Sequence, residues 1–305
     1  MKTIFLFPGQ GSQYVGMGKA LAESHEGARR LLQEADDVLG IKLSALMADG
    51  PEDELKATQN TQPALYVVSQ MAAAVLAEAG IRPDLAAGHS LGEYSALAAV
   101  GALSFADGLR LVRLRGNLMA EAGVRRPGAM AAILGLDAGP LDEVLKGVSG
   151  TVVSANYNCP GQIVVSGEVD AVLAAMEACT AAGAKKAVRL PVSGAFHSPL
   201  MEYALEGLRD GLAKATFSKP SCPVVANVDA VGHDNPAEFA ELLVKQLVSP
   251  VRWENSMRWA VAQGVARGVE VGAGKVLMGL MRSIDRAVSV TPVESVDAVA
   301  ALKGA

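Results

Sequence analysis

The sequence predicts an α/β protein built around a largely parallel sheet. Short runs of β-branched and aromatic residues alternate with long stretches rich in Ala and Leu, as expected where helices connect parallel strands. Of the 305 residues, 50% are hydrophobic and 19% are charged, so the chain can bury a sizeable core as one large domain or two smaller ones.

The predicted core strands are short and widely spaced along the chain. They span 3–7, 85–88, 224–227, 269–271 and 288–290. Helical periodicity is clearest over 63–79, where apolar residues recur at three- and four-residue intervals and form one apolar face. A second long helix is predicted over 105–122. These helices would cover the faces of the sheet.

The middle of the chain has a different order of elements. Strand, helix, strand, strand, helix and strand are predicted over 130–134, 141–146, 152–155, 162–166, 170–182 and 187–192. This β-α-β-β-α-β order is that of a ferredoxin-like unit. Glycine-containing segments at 123–128 and at Ser193 and Gly194 flank the unit and predict crossing points. We therefore predict a core formed by 1–123 and 195–305, with 124–194 inserted as a small subdomain.

Composition and charge exclude several functional classes. The 27 Lys and Arg residues against 32 Asp and Glu give a net charge of -5, which provides no overall basic field for nucleic acid. Cys159, Cys179 and Cys222 lack the spacing of a disulfide framework or a zinc site, which favours a reducing compartment. No apolar run approaches the roughly 18 residues that span a bilayer. The run before Pro8 is too short for a signal peptide. We expect a globular cytoplasmic protein.

One motif points to nucleophilic chemistry. The sequence GHSLG at 88–92 follows a predicted strand and precedes a predicted helix over 93–100, which is the setting of a G-x-S-x-G nucleophile elbow. The two glycines permit a turn sharp enough to present the Ser90 hydroxyl. The pattern alone is weak in a chain with 32 glycines, and a tight turn with an ordinary serine is the alternative interpretation.

A serine nucleophile needs a base, and the chain has only four histidines. His25 and His233 lie in polar segments and are expected on the surface. His89 is the neighbour of Ser90 and is expected to brace the elbow. His197 follows the predicted small subdomain, and a loop at a subdomain boundary is where a cleft forms, so it is the candidate base. The alternative is that His197 caps the helix that follows it.

Two glycine-rich segments could suggest a phosphate-binding loop. Segment 8–13 ends the first predicted strand and could lend a backbone N–H to an oxyanion. The dinucleotide pattern fails there because Tyr14 replaces the third glycine, and a P-loop fails because Met17 replaces the lysine. Segment 272–275 lacks the upstream glycine. Neither segment fits a nucleotide site.

Arg110, Arg113 and Arg115 lie close together in a mostly apolar helix. At about 100° per residue they cannot share one face, so at least one can point inward. A buried arginine requires an anionic partner. The alternative is three solvated arginines whose stems lie on the surface, and the residues alone leave both interpretations open.

Taken together, six segments resemble the malonyl-CoA:acyl carrier protein transacylases. They are FPGQGSQ at 7–13, GHSLGEY at 88–94, RLRG at 113–116, NCPGQ at 158–162, FHS at 196–198 and QLVSPVRW at 246–253. The resemblance extends over almost the whole chain. It implies an α/β-hydrolase-like core interrupted by a small ferredoxin-like subdomain, with the site in the gap between them.

The resemblance also implies a role for each matching position. Ser90 corresponds to the nucleophile, His197 to the base, and Gln246 to the residue whose main-chain carbonyl holds the imidazole, with no carboxylate completing a triad. The backbone N–H groups of Gln10 and Leu91 correspond to the oxyanion hole.

Three further positions are expected to contact the substrate. Arg115 corresponds to the residue that clamps the malonyl carboxylate, and Asn158 and Phe196 are expected beside the acyl group. Phe196 before the histidine and Leu91 after the nucleophile are of the malonyl-loading type. The resemblance implies malonyl transfer from malonyl-CoA to the phosphopantetheine thiol of acyl carrier protein through a malonyl-serine intermediate. It implies fatty-acid synthesis and no metal or redox cofactor.

Other functions would use some of the same residues. A discrete malonyl loader for polyketide synthesis or malonate decarboxylase would differ only in the carrier served. A serine esterase or thioesterase would use Ser90 and His197 equally well, but an inward Arg115 would then lack an anionic partner. A non-catalytic scaffold for acyl carriers is opposed by the intact serine and histidine. The sequence does not encode the oligomeric state, and we expect a monomer.

Overall fold

The computed structural model describes residues 1–192 and 194–303, and it shows a mixed α/β chain with two sheets. Ser193, placed by the sequence at a crossing point, lies outside the described residues. Within the described chain, no helix is long and apolar enough to cross a membrane. The strands are β1 (Lys2–Phe7), β2 (Leu85–Gly88), β3 (Gly128–Leu134), β4 (Val152–Cys159), β5 (Gln162–Glu168), β6 (Lys186–Arg189), β7 (Val224–Val225), β8 (Gly232–His233), β9 (Val265–Val271) and β10 (Ser289–Val293).

The helices connect these strands along the whole chain. They are α1 (Lys19–Ser24), α2 (Glu26–Leu39), α3 (Leu43–Asp49), α4 (Glu52–Lys56), α5 (Thr58–Glu78), α6 (Gly92–Ala99), α7 (Phe105–Arg125), α8 (Ala138–Lys146), α9 (Val169–Ala181), a 3-10 helix (Pro199–Ala204), α10 (Leu205–Leu212), α11 (Pro236–Val248), α12 (Trp253–Ala262), α13 (Val276–Ile284) and α14 (Val296–Lys303).

The larger sheet has six strands in the order β10-β9-β1-β2-β7-β8. Its neighbouring strands are parallel except for the antiparallel pair β7 and β8. Along β1, Ile4 and Leu6 pack in one hydrophobic cluster while Phe5 and Phe7 pack in another, because alternate side chains of a strand point to opposite faces. Helices therefore cover both faces, and the carboxyl ends of β1 and β2 meet at one edge of the sheet.

The smaller sheet is antiparallel and has the order β4-β5-β3-β6. Its strands and helices follow the chain order β-α-β-β-α-β, in agreement with the pattern in the sequence. A parallel bridge between Asn156 of β4 and Val251 joins it to the rest of the protein, and Tyr157 N donates to Val251 O at 2.9 Å. The small sheet is thus held beside the edge where β1 and β2 end.

Several element boundaries differ from the prediction: α8 begins at Ala138 rather than 141, β4 extends to Cys159 and β6 ends at Arg189. Two further differences concern the long helices. The helix predicted from Pro63 begins earlier, at Thr58, and contains the proline. Proline has no N–H to donate, which frees the carbonyl of Gln59, and Arg113 Nη1 donates to this oxygen at 2.7 Å. The long helix predicted to end at 122 continues to Arg125, so the predicted subdomain boundary at 123/124 falls inside α7.

Candidate active site

A cavity lies between the two sheets and takes its walls from both. The larger part of the protein contributes Ser90, Arg115 and His197, and the small sheet contributes side chains of β3, β4 and β5. The small-sheet residues that line it include Met130, Ala132, Asn156, Asn158, Gln162 and Val164. The predicted site residues Gln10, Leu91 and Phe196 line the same cavity.

The turn after β2 has the geometry of a nucleophile elbow. Ser90 has a φ of 52°, in the left-handed region that residues other than glycine rarely adopt. A Cβ atom on Gly88 would lie 1.8 Å from the carbonyl carbon of Gly92, and one on Gly92 would lie 2.1 Å from Phe7 O. Asn227 Oδ1 accepts a hydrogen bond from Ser90 N at 2.7 Å. The two glycines are therefore required by close backbone approach, and Asn227 holds the strained residue in place.

Ser90 and His197 form a hydrogen-bonded pair. Ser90 Oγ lies 2.7 Å from His197 Nε2, and His197 Nδ1 lies 2.9 Å from the main-chain oxygen of Gln246. Because a carbonyl can only accept, Nδ1 carries the proton and Ser90 donates to Nε2. Burial, reinforced by the charge of Arg115, lowers the pKa of His197 to about 3. The imidazole is therefore a neutral proton acceptor at neutral pH.

Arg115 points inward and is only 1% exposed. Its Nη2 donates to Ser90 Oγ at 3.1 Å and to Gln246 Oε1 at 3.0 Å, and its Nη1 donates to Gln62 Oε1 at 2.9 Å. The solvated interpretation therefore fails for Arg115. Arg110 does lie on the surface beside Asp107.

Two backbone donors border the same cavity. Leu91 directly precedes α6, and Gln10 lies in the loop after β1, where its Oε1 accepts from Thr58 Oγ1 at 2.6 Å. No hydrogen bond within the described part of the chain engages the N–H of Gln10 or of Leu91. Both N–H groups are therefore free to donate to an anion in the cavity.

Asn158 and Phe196 complete the predicted set. Asn158 Oδ1 lies 2.8 Å from Nε2 of the half-buried His89, so this hydrogen bond joins the elbow to β4. Burial lowers the pKa of His89, which favours a neutral ring that donates from Nε2. Phe196 is 6% exposed and borders the cavity beside His197.

The two histidines expected on the surface lie there half-buried and hydrogen-bonded. The His25 ring is 15% exposed, accepts from Ala28 N at the start of α2 and contacts Glu78. The His233 ring is 17% exposed and contacts Asp229 and Glu238. Both histidines therefore lie at the surface, where each ring contacts exposed carboxylates. Among the residues described, no cluster of three or more His, Cys, Asp or Glu could hold a metal ion.

The sequence interpretation missed the polar residues beneath the elbow. Glu93 is 3% exposed, and its Oε2 accepts from Gln246 Nε2 at 2.9 Å and from Asn227 N at 3.0 Å. Burial raises the pKa of Glu93 to about 7. The available signal for Glu93 was its position directly after the GHSLG motif, in the first turn of the predicted helix. Asn227, which lies in a predicted strand, offered none.

Comparison with known proteins places these features in a family. The acyl transferase domain family matches residues 4–303. A malonyl CoA-acyl carrier protein transacylase of Bacillus subtilis is 49% identical over 288 residues, covering 93% of this chain and 91% of the relative. An Escherichia coli protein of the same name is 45% identical over 300 residues, covering 97% of each chain.

Solved structures agree over the full length. An acyl-carrier-protein-S-malonyltransferase from Bartonella henselae superposes with a TM-score of 0.96 at 42% identity, covering 100% of this chain and 99% of that one. A malonyl-transacylase in complex with a type II PKS acyl-carrier protein also gives a TM-score of 0.96 at 42% identity, covering 100% of both chains.

Proposed function

The chain belongs to the acyl transferase domain family, and from that membership we propose that it transfers a malonyl group from malonyl-CoA to the phosphopantetheine thiol of an acyl carrier protein. Its relatives in Bacillus subtilis and Escherichia coli are named for this activity. The observation that carries the proposal is the buried guanidinium of Arg115, 3.1 Å from Ser90 Oγ. A cation at that position suits an acyl group that ends in a carboxylate.

The first half of the reaction loads Ser90. His197 Nε2 takes the hydroxyl proton as Ser90 Oγ attacks the thioester carbonyl carbon. The tetrahedral intermediate collapses, the C–S bond breaks, and the CoA thiolate leaves with the proton from His197. The product is a malonyl-serine ester, with the Gln246 main-chain oxygen holding Nδ1–H throughout.

The second half unloads the serine in the reverse direction. The phosphopantetheine thiol gives its proton to His197 and attacks the ester carbonyl, and Ser90 Oγ leaves and regains that proton. The N–H groups of Gln10 and Leu91 stabilise the oxyanion in both halves. Each such donor is worth about 10²- to 10³-fold in rate, because it acts only as charge develops. Every proton transfer in these steps takes place between Ser90, His197 and the two substrate thiols.

Arg115 gives the reaction its preference for malonyl. Its planar guanidinium forms two parallel hydrogen bonds with a carboxylate, which an acetyl group does not offer. A hydrogen bond to a charged group contributes about 1.5 to 3 kcal/mol. The bound carboxylate also offsets the positive charge that lowers the pKa of His197, so the correct substrate makes the imidazole a stronger base.

The fold assignment supports the same proposal. We assign the larger sheet and its helices to an α/β-hydrolase-like core and the unit between α7 and the 3-10 helix to a ferredoxin-like subdomain. The subdomains are 1–123 with 195–305, and 124–194. Topology supports this division, since the four strands of the small sheet pair only with one another as strands. The acyl carrier protein of fatty-acid synthesis is the proposed partner.

Replacing Ser90 tests the nucleophile. Ser90→Ala should abolish the mass increase of one malonyl group after incubation with malonyl-CoA, because no hydroxyl remains to form the ester. Intact-protein mass spectrometry measures the adduct, and Ser95→Ala, which removes a buried hydroxyl of α6 five residues after Ser90, serves as a folded control. A full malonyl adduct on Ser90→Ala would overturn the assignment.

The same assay separates the alternatives by their acceptor. Malonyl-enzyme incubated with phosphopantetheinylated carriers should pass the group to a fatty-acid carrier. Faster release to water than to any carrier would indicate a thioesterase. Transfer only to a polyketide carrier would identify a loader for that pathway.

A further inference from the structure

The proposed mechanism makes no use of Glu93, although this glutamate is buried directly beneath the elbow. It is 3% exposed and lies in the first turn of α6. Burying a carboxylate is costly unless hydrogen bonds and an opposite charge compensate for the lost hydration. Two hydrogen bonds reach it, from Gln246 Nε2 and Asn227 N, and both end on the same oxygen, Oε2.

The Gln246 side chain connects this carboxylate to Arg115. Its Nε2 donates to Glu93 Oε2 at 2.9 Å and to Ser90 O at 2.8 Å, while its Oε1 accepts from Arg115 Nη2 at 3.0 Å. The reverse amide orientation would set oxygen against two acceptors and NH₂ against a donor, so only this orientation is satisfied. Among the residues described, no direct ion pair joins Glu93 and Arg115, and the Gln246 amide hydrogen-bonds to both of them.

We propose that ionised Glu93 is the counter-charge of Arg115 and that it limits how tightly the site holds a malonyl carboxylate. This inference rests on the malonyl transfer proposed above. Glu93 is a positioning and specificity-determining residue here, because it acts through Gln246 and Arg115 and does not touch the reacting atoms.

The physical reason is competition between two anions for one cation. With the site empty, Arg115 would be an unpaired buried cation, and Glu93 supplies its compensation. When the malonyl carboxylate binds, both anions share the guanidinium. The interaction of Arg115 with Glu93 therefore weakens its electrostatic attraction for the malonyl carboxylate. Removing the charge of Glu93 should therefore tighten malonyl binding. An acetyl group has no carboxylate, so its binding should not change.

Glu93→Gln removes the charge and keeps the contacts. Since both donors end on Oε2, one amide oxygen can accept both hydrogen bonds. At pH 8, where most of wild-type Glu93 is ionised, a coupling of one pKa unit should lower the KM for malonyl-CoA about fivefold in the variant, with kcat unchanged. The KM for acetyl-CoA should stay within about twofold. Glu143→Gln, an exposed glutamate on α8, is the matched control and should leave both KM values unchanged.

The wild-type enzyme offers a second measurement that needs no variant. The charged groups facing Glu93 are Arg115 from α7 and Asp229 after β7, and Tyr94 adjoins it on α6. The pKa of Glu93 is raised to about 7, so it is protonated below that pH and ionised above it. His197, with a pKa lowered to about 3, stays neutral throughout. The preference for malonyl-CoA over acetyl-CoA should therefore decrease about fivefold between pH 6 and pH 8 for a coupling of one pKa unit. Groups on CoA are common to both substrates and cancel in the ratio.

The outcomes separate this inference from the proposed function. If wild-type enzyme forms no malonyl adduct, the proposed function fails. If it does, an unchanged malonyl KM in Glu93→Gln, or a pH dependence parallel to that of wild type, overturns the role of Glu93. Should Glu93→Gln fail to fold, a flat acyl preference in wild type between pH 6 and pH 8 overturns it equally.

Discussion

At the residue scale, the Ser90 hydroxyl is both a hydrogen-bond donor and a hydrogen-bond acceptor. Ser90 Oγ donates to His197 and accepts from Arg115 Nη2. The guanidinium thus occupies a lone pair of the nucleophile until a better acceptor arrives. In the proposed mechanism a malonyl carboxylate is such an acceptor, so substrate binding and release of the Ser90 hydroxyl would be coupled through Arg115.

Arg115→Ala tests that coupling. The variant should lose about 10²- to 10⁴-fold in kcat/KM for malonyl-CoA, since two charge-assisted hydrogen bonds worth about 1.5 to 3 kcal/mol each are removed. The ratio of acetyl-CoA to malonyl-CoA use should rise at the same time. Steady-state kinetics with both substrates measures this, and Arg110→Ala, an exposed arginine of α7, is the control. An unchanged acyl preference in Arg115→Ala would remove the clamp from the mechanism.

Sequence predicted some of these residues and not others, for a physical reason. The elbow is specified locally, because the two glycines, the serine and the flanking strand and helix are contiguous. The restraint on Ser90 N comes from Asn227, 137 residues away, and nothing local marks it. Arg115 was undecided because an arginine on an apolar helix can point either way until its neighbours are known.

At the element scale, the region before α5 was the least predictable. Helices α1, α3 and α4 have six, seven and five residues, fewer than two full turns, so no apolar periodicity develops. Their few apolar side chains are nonetheless fully buried, as Leu21, Leu43 and Leu55 show. Tertiary packing, rather than local pattern, fixes these helices.

Helix α13 is attached to β9 by a single buried carboxylate. Glu270 Oε1 accepts from Leu277 N at 2.9 Å and Oε2 accepts from Met278 N at 2.8 Å, in the first turn of the helix. Leu277 and its neighbour Val276 line the cavity. The pairing of an acidic group with a helix N-terminus fixes this wall of the site.

Glu270→Gln should therefore destabilise the protein. A glutamine keeps only one oxygen, so one N–H of the helix loses its acceptor, which costs about 1 to 3 kcal/mol. Urea denaturation at pH 5 measures the loss, because the folded wild-type carboxyl is protonated there and both side chains are neutral. Glu177→Gln, exposed on α9, is the control and should be neutral. Equal midpoints for wild type and Glu270→Gln would show that the carboxyl group does not hold the helix.

At the scale of the whole molecule, two buried glutamates make stability depend on pH. Burial raises the pKa of both Glu93 and Glu270 from 4.5 to about 7. Between these values the folded protein retains protons that the unfolded chain has released, so the free energy of unfolding decreases as pH rises. The slope is at most about 1.4 kcal/mol per pH unit for each group.

Denaturation of wild type and of the double variant Glu93→Gln, Glu270→Gln at pH 5, 6 and 7 measures this contribution. The difference in unfolding free energy between the two proteins should change in favour of the variant as pH rises, because only wild type carries the two carboxyls. A difference that stays constant over this range would contradict the assignment. Titration of all other groups is shared and cancels.

The overall architecture was predictable from the periodicity of apolar residues and from the order of strands and helices along the chain. The core strands and the six elements of the small sheet appear in the sequence as runs of distinct composition. Their exact ends were not, since Pro63 is accommodated inside α5 by Arg113 and α7 runs through the predicted boundary. The way the two sheets face each other depends on contacts such as Asn156 with Val251, which no local pattern encodes.

The division of the cavity wall between two sheets has a consequence for how such enzymes diversify. Ser90, His197, Arg115 and Gln246 all lie outside the small sheet, which contributes only lining surface opposite them. Substitutions in β3, β4 and β5 can reshape the room available to an acyl chain while the proton-transfer apparatus is left intact. Substitutions can thus change which acyl groups fit the cavity without changing the residues proposed to carry out the reaction.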